Sequence, residues 1–307
     1  MLMSRWQTSL IKPLSLSGKG LHTGRLVTLL IRPAKPNSGI RFFRRDISLT
    51  RFVLANPSEI SGTDLATTIG EGSRSVATVE HLMAAFAGLG LTNTEVLVDA
   101  PEVPIMDGSA REFVSGLMRC GLIEYPAPAR AYRLKQPLTV SEGDKVLHLE
   151  PAKSQKIHCS IDFSSSVIGR QSIDYEAGID NFLAIADART FCHARDVQAM
   201  RERGLALGGS LENAVVVTEH GFLNAGGLRS PDEFVRHKLL NLLGDFALLG
   251  APLMASLYAH KTGHRIHAQA LQKLWNDKDF YLEEFYPEET YLLRGKSIFS
   301  PSFIHTA

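Results

Sequence analysis

The stretch EFVRHKLLNLLGDFALLG, residues 233–250, decides how the rest of the chain is read. Val235, Leu239, Leu242, Phe246 and Leu249 recur at helical spacing and form an apolar stripe, so a helix is predicted. Leu240, Leu243 and Ala247 add a further apolar side. A helix apolar round most of its circumference is largely buried. A polar seam runs along it nonetheless: His237, Asn241 and Asp245, at i, i+4 and i+8, share one face. Buried polar side chains need partners. A histidine followed four residues on by a carboxylate is a common metal-ligand spacing on a helix, but here the fourth residue is the amide Asn241. The seam reads as a metal site, as a former metal site, or as a row of satisfied polar residues.

An earlier segment echoes this one. TVEHLMAAFAGLG (78–90) is predicted to be a helix with Thr78 as N-cap and Gly88 and Gly90 marking its stop. It carries Val79-x-His81 where the later helix carries Val235-x-His237. Strand patterns such as RLVTLLI (25–31) precede the first helix; TEVLVDA (94–100) and a helix over 110–123 follow it. EYPAPAR (124–130), with two prolines among small residues, is the expected linker. Strands restart in YRLKQPLTVSEGDKVLHLEP (132–151) and KIHCSIDF (156–163). A long irregular stretch is expected next, holding a helix near 194–203, a glycine turn at 208–209 and a strand at 214–218. Pro231 is expected in the first turn of the 233–250 helix, with a strand over 253–259 and a helix over 264–275 beyond. The repeated order points to two copies of one strand-and-helix layer facing each other, divided into residues 1–126 and 127–307.

The composition narrows the function. Thirty-three Lys+Arg against 32 Asp+Glu give a net charge of +1, so nothing global calls for nucleic acid or an anionic membrane surface. Apolar residues make up 44% and charged residues 21%, as in an ordinary globular protein. Cys120, Cys159 and Cys192 lie far apart, which favours free thiols in a reducing compartment. The N-terminal residues hold no apolar core of signal-peptide length, and no run approaches the roughly 20 apolar residues of a membrane span, so a cytoplasmic protein is expected. ALGGSL (206–211) lacks the pattern of a phosphate-binding loop, and no GxSxG elbow occurs.

Three histidines sit beside features suited to a site: His81 follows Glu80 at a helix start, His237 lies on the seam, and His264 follows Gly263 in HKTGHR. A zinc hydrolase needs neutral imidazoles and carboxylates as ligands, an open position for water and a nearby carboxylate base. Glu80 and His81 could supply base and ligand from one turn. A single histidine on a helix is more commonly solvated or satisfied in the core, and Glu80 equally suits the positive end of its helix.

Six segments carry a resemblance: TVEHLMAAFAGLGLTN (78–93), PEVPIMDGSA (101–110), ARTF (188–191), GGSLENAVVV (208–217), GLRSPDEFVRHK (227–238) and KTGH (261–264). In order and spacing they closely resemble the UDP-3-O-acyl-N-acetylglucosamine deacetylases, zinc amidases of the committed step of lipid A synthesis, over about residues 5–280. The resemblance implies an α+β fold of two similar domains, each a small sheet with a helix layer, packed helices to helices in a β-α-α-β sandwich. An acyl-passage insert falls near 192–225. It implies zinc ligands at His81, His237 and Asn241, a general base at Glu80, and His264 as electrostatic stabiliser and acid with Asp245 as its partner. Thr190 would help hold the oxyanion, and Lys238, Lys145, Lys261 and Phe191 would contact the substrate. No nucleic-acid partner and a monomer are expected.

The third ligand departs from the family, which has an aspartate where this chain has Asn241. An amide oxygen is a neutral, weak zinc ligand, so metal affinity should fall. Three readings follow: a deacetylase that works with weaker zinc or another divalent ion, one in which a neighbouring carboxylate replaces the ligand, or a divergent paralogue that binds UDP-sugar or acyl ligands in a non-catalytic or regulatory role; the matching Glu80, His264, Asp245, Thr190 and Lys238 favour a deacetylase.

Overall fold

The structure is a computed structural model and describes residues 3–288. Residues 289–307 of the expected second domain lie outside the described residues. The first half of the chain contributes strands β1 (Trp6–Leu10), β2 (Leu14–Lys19), β3 (Leu26–Pro33), β4 (Ile40–Arg44), β5 (Val53–Leu54), β6 (Ile60–Gly62), β7 (Thr68–Ile69), β8 (Thr94–Val98) and β9 (Leu122–Pro128). The second contributes β10 (Ala131–Leu134), β11 (Leu138–Glu142), β12 (Lys145–Pro151), β13 (Lys156–Asp162), β14 (Arg170–Glu176), β15 (Phe191–His193), β16 (Val215–Val217), β17 (Leu253–His260) and β18 (Leu282–Phe285). The helices are α1 (Glu80–Leu89), α2 (Arg111–Cys120), α3 (Ile179–Leu183), α4 (Val197–Glu202), α5 (Glu233–Ala247), α6 (His264–Asn276) and α7 (Lys278–Tyr281).

Two mixed sheets dominate. The five-stranded one runs β2-β3-β8-β4-β5, with β4 and β8 parallel and the other pairs antiparallel. Along β3, Val27, Leu29 and Ile31 are buried while their neighbours are not, the period-two pattern of a strand with one covered face. In the seven-stranded sheet β17 is the hub: it pairs antiparallel with β12 and parallel with β13 and β10.

Helix α1 is buried at every residue, and α5 at all but Arg236 and Lys238. The two pack directly on each other, so the two segments that share the V-x-H triplet do meet. Gly244 allows the close approach, because a Cβ there would stand 2.0 Å from the Glu80 carbonyl oxygen. Helix α5 also lies against β13 and β14, and α6 against β11 and β12. One continuous apolar core runs from Leu10 to Leu282 through both sheets and these helices.

Several expectations need correction. Thr78 does not cap α1: its hydroxyl is taken by the buried Glu102 carboxylate at 2.9 Å, and Val79 occupies the cap position without a side-chain bond. The helix does stop at Gly90, in the left-handed region at φ 72°. Pro231 precedes α5 rather than joining its first turn, since the cap is Asp232. EYPAPAR is mostly strand β9, antiparallel to β1 in a two-stranded ribbon, where an edge position tolerates the prolines. The stretch expected to be irregular contains β14 and α3, because the exposed alternation of RQSIDYE pairs along all of β13.

Candidate active site

Helix α1 sets Glu80 and His81 in its first turn, and α5 sets His237, Asn241 and Asp245 on the face turned toward them. The imidazoles of His81 and His237 meet edge to face, with ring centres 5.0 Å apart. His237 donates from Nδ1 to the Ala188 carbonyl at 3.0 Å, which fixes its tautomer and leaves Nε2 with a free lone pair, as a metal-ligating histidine requires. Burial lowers the His237 pKa well below the usual histidine range, and the His81 charge adds to this. Burial, then the charge of His264, brings the His81 pKa down to about 4. Both rings are therefore neutral at pH 7.

The Nδ1 of His81 and Oδ1 of Asn241 are buried and neither makes a hydrogen bond of good geometry, although the Asn241 side chain lies close enough to His81 to oppose part of the fall in its pKa. Such groups are costly in a protein interior, and a bound ion or water would relieve the cost. Two neutral imidazoles and an amide oxygen fit a divalent cation, although no carboxylate balances its charge. Among the described residues, one group of three acidic or imidazole side chains lies close enough to hold an ion: Asp245, His264 and His267. Its atoms are already engaged with one another. Asp245 Oδ2 accepts from Nδ1 of His264 at 2.8 Å and from Nδ1 of His267 at 2.7 Å, and His267 Nε2 reaches the Thr262 hydroxyl at 3.0 Å. That group is a hydrogen-bond hub.

Glu80 and His264 face each other, with Nε2 and Oε1 3.8 Å apart. Burial raises the Glu80 pKa to about 7; the His264 charge opposes the rise and that of Asp245 adds to it. Burial pulls His264 the other way, yet the Asp245 and Glu80 charges outweigh it and leave its pKa raised. Burial would likewise raise Asp245, but His264 and His267 hold it well below the usual carboxylate range. One carboxylate is thus poised to trade protons near neutrality while the other stays ionised beneath an imidazolium. Thr67 joins the pair: its backbone N–H donates to Glu80 Oε2 at 3.0 Å, and its hydroxyl donates to Asp245 Oδ1 at 2.6 Å.

Thr190 lies two residues after Ala188, whose carbonyl accepts from His237, in a segment fixed from three sides. Its N–H donates to the Gly108 carbonyl, its carbonyl accepts from the Val215 N–H, and the preceding Arg189 donates two buried hydrogen bonds to the Glu233 carboxylate at the start of α5. Phe191 opens β15, its ring 6.2 Å from that of His237 and 5.7 Å from the Lys238 ammonium. Lys238 is partly buried, and the desolvation of its ammonium lowers its pKa. Lys145 and Lys261 lie together at the β12–β17 end of the sheet: Lys261 is ion-paired with Asp144, the neighbour of Lys145. Sequence reasoning missed Thr67, His267, Glu102 and Glu233. His267 was within reach, since it stands one turn beyond His264 on the same helix. Glu102 accepts from His22 and Thr23 as well as Thr78, tying residues 20–24 (GLHTG) to the start of α1. For Thr67 no spacing or pattern gave a signal.

A buried carboxylate with a pKa of about 7, an imidazole backed by a second carboxylate and neighbouring buried imidazole and amide atoms are the kinds of group that hydrolysis uses, here in an α+β fold. The model of the UDP-3-O-acyl N-acetylglycosamine deacetylase family matches residues 7–276, and the chain belongs to that family. It is 44% identical to the UDP-3-O-acyl-N-acetylglucosamine deacetylase of Myxococcus xanthus (strain DK1622) over 95% of this chain and 93% of the relative. Against the protein of the same name from Methylococcus capsulatus (strain ATCC 33009 / NCIMB 11132 / Bath) the identity is 43%, over 93% and 95%. Against that of Acidithiobacillus ferrooxidans (strain ATCC 53993 / BNL-5-31) it is 45%, over 84% and 86%. No helix among the described residues is long and apolar enough to cross a membrane.

Proposed function

We propose that this chain hydrolyses the N-acetyl group of UDP-3-O-acyl-N-acetylglucosamine, the committed step of lipid A synthesis, as a zinc-dependent monomer in the cytoplasm. The observation that carries the reading is the meeting of Glu80 and His264 beside the bare atoms of His81, His237 and Asn241. Those three residues would hold zinc, which when bound supplies a Lewis acid for the acetyl carbonyl and brings a water's pKa down to roughly 7. Glu80 takes the proton of the water as its oxygen attacks the acetyl carbon. The imidazolium of His264 and the hydroxyl of Thr190 stabilise the oxyanion that develops. The C–N bond then breaks, His264 gives its proton to the departing nitrogen, and acetate and a glucosamine result.

Substrate binding follows the same reading. Lys238, Lys145 and Lys261 attract the diphosphate. The insert near 192–225 forms the acyl passage, supported by the ring contacts of Phe191 with Phe163 and Phe234, and of Phe222 with Phe234. We place the domain boundary at 126/127, with the α1 and α5 layers innermost in a β-α-α-β sandwich; the packing of α1 on α5 supports this arrangement.

Acetate release from the acylated UDP-sugar by purified protein, with zinc added and with zinc chelated, tests the reading. Turnover that needs zinc and falls by at least about a hundredfold in Glu80→Gln is expected. A protein that binds the UDP-sugar but releases no acetate at any zinc concentration would establish the paralogue instead.

A further inference from the structure

Thr67 stands in the connection between β6 and β7, 2% exposed, and touches every part of the proton-handling apparatus. Its main chain is fastened to the start of α1: its N–H donates to Glu80 Oε2 at 3.0 Å, and its carbonyl accepts from Val79 at 3.3 Å. Its side chain reaches across to α5, where the hydroxyl hydrogen goes to Asp245 Oδ1 at 2.6 Å. That hydrogen is then committed, so the 3.1 Å contact between Thr67 Oγ1 and His264 Nδ1 has the imidazole as donor. His264 Nδ1–H is thereby shared between Asp245 Oδ2 and Thr67 Oγ1, and its other nitrogen is directed at Glu80.

We propose that Thr67 is a positioning residue for the deacetylation, its hydroxyl holding the Asp245 carboxylate and the His264 ring in the orientation that turns Nε2 toward Glu80. The inference rests on the roles given above to His264 and Glu80. Valine in its place keeps the branched shape and loses both hydrogen bonds. Aspartate could then rotate about its terminal torsion, and the imidazole would keep one acceptor instead of two. Serine restores the hydroxyl.

The test compares kcat and KM of the zinc-loaded wild type with those of Thr67→Val, Thr67→Ser, His264→Gln and Thr67→Val/His264→Gln. A hydrogen bond to a charged group carries enough free energy that about a tenfold fall in kcat is expected for Thr67→Val, with KM within about twofold. Thr67→Ser should return to within about threefold of wild type. In the His264→Gln background the valine should cost less than about twofold, because the ring it orients is gone. An unchanged kcat for Thr67→Val, an equal loss in both backgrounds, or no recovery with serine would each overturn the proposal. Full activity of His264→Gln would instead overturn the role given to His264, whatever Thr67→Val did. Should Thr67→Val fail to fold, Thr67→Ala removes the same hydroxyl without placing a methyl beside the carboxylate, and carries the same comparisons.

Discussion

Glu80 is held where its charge is unfavourable. Its pKa of about 7 in the folded chain lies above the ordinary carboxylate value of 4.5. The unfolded chain therefore releases this proton first, and folding stability from this group is complete below pH 4.5 and is lost as pH rises from there through 7. Glu80→Gln keeps an oxygen to accept from Thr67 and never ionises. Thermal unfolding of metal-free protein should show the variant more stable than wild type by about 1–3 kcal/mol at pH 8, with no difference at pH 4; equal stability at both pH values would contradict the raised pKa. The same substitution should reduce turnover by about 10² to 10⁴, as removal of a general base does. Asn241 gives the complementary prediction. Asn241→Asp supplies the missing negative charge to the ligand set, and competition against a chromophoric chelator should show zinc bound at least about tenfold more tightly, an effect of one charge–charge contact at short range. Unchanged affinity would mean that Asn241 Oδ1 is not a ligand. At this scale the proposed ligand histidines and Glu80 stand out in the chain because Glu80 and His81 are adjacent at a helix start and His237 begins a polar seam repeating every four residues on a helix. Thr67 does not, because its significance comes only from a crossing between segments 178 residues apart.

The contact of α1 with α5 converts those side chains into a site. Gly244 is the point of closest approach, and any Cβ there must displace the backbone of the very residue proposed as the base. Gly244→Ala is expected to destabilise the protein by about 1–3 kcal/mol, the range for overpacking in a tight core, and to lower kcat by separating Glu80 from Asp245 and His264. Urea unfolding and steady-state kinetics on the one variant measure both; a stable, fully active protein would show that the helices can move apart without consequence. Both helices were legible in the sequence as apolar runs, the first also by its glycine stop, and so were the long buried strands. Elements whose form depends on a distant partner were not. Strand β14 has an exposed alternating sequence that pairing with β13 organises, and β9 carries two prolines that only an edge ribbon with β1 accommodates. The cap of α1 was misread for a related reason: Thr78 has its obvious role withdrawn by Glu102, 24 residues on.

At the scale of the whole molecule, both halves contribute to the proposed metal site, and one apolar core connects them. His81 comes from the first half and His237 and Asn241 from the second, so neither half alone offers the full ligand set. A helix such as α1, buried at every residue, would expose its apolar α5-facing side if the halves parted. Unfolding should therefore be a single calorimetric transition, with van't Hoff and calorimetric enthalpies agreeing, even though chains of this length often unfold in stages. Zinc should raise its midpoint by mass action, adding about 2.7 kcal/mol to the unfolding free energy at a hundredfold excess over the dissociation constant. In Asn241→Asp the same zinc concentration should raise it further, and in His237→Ala it should raise it far less. Two separated transitions, with zinc moving only one of them, would show that a single half holds the metal and that the α1–α5 contact is not what makes the chain one cooperative unit.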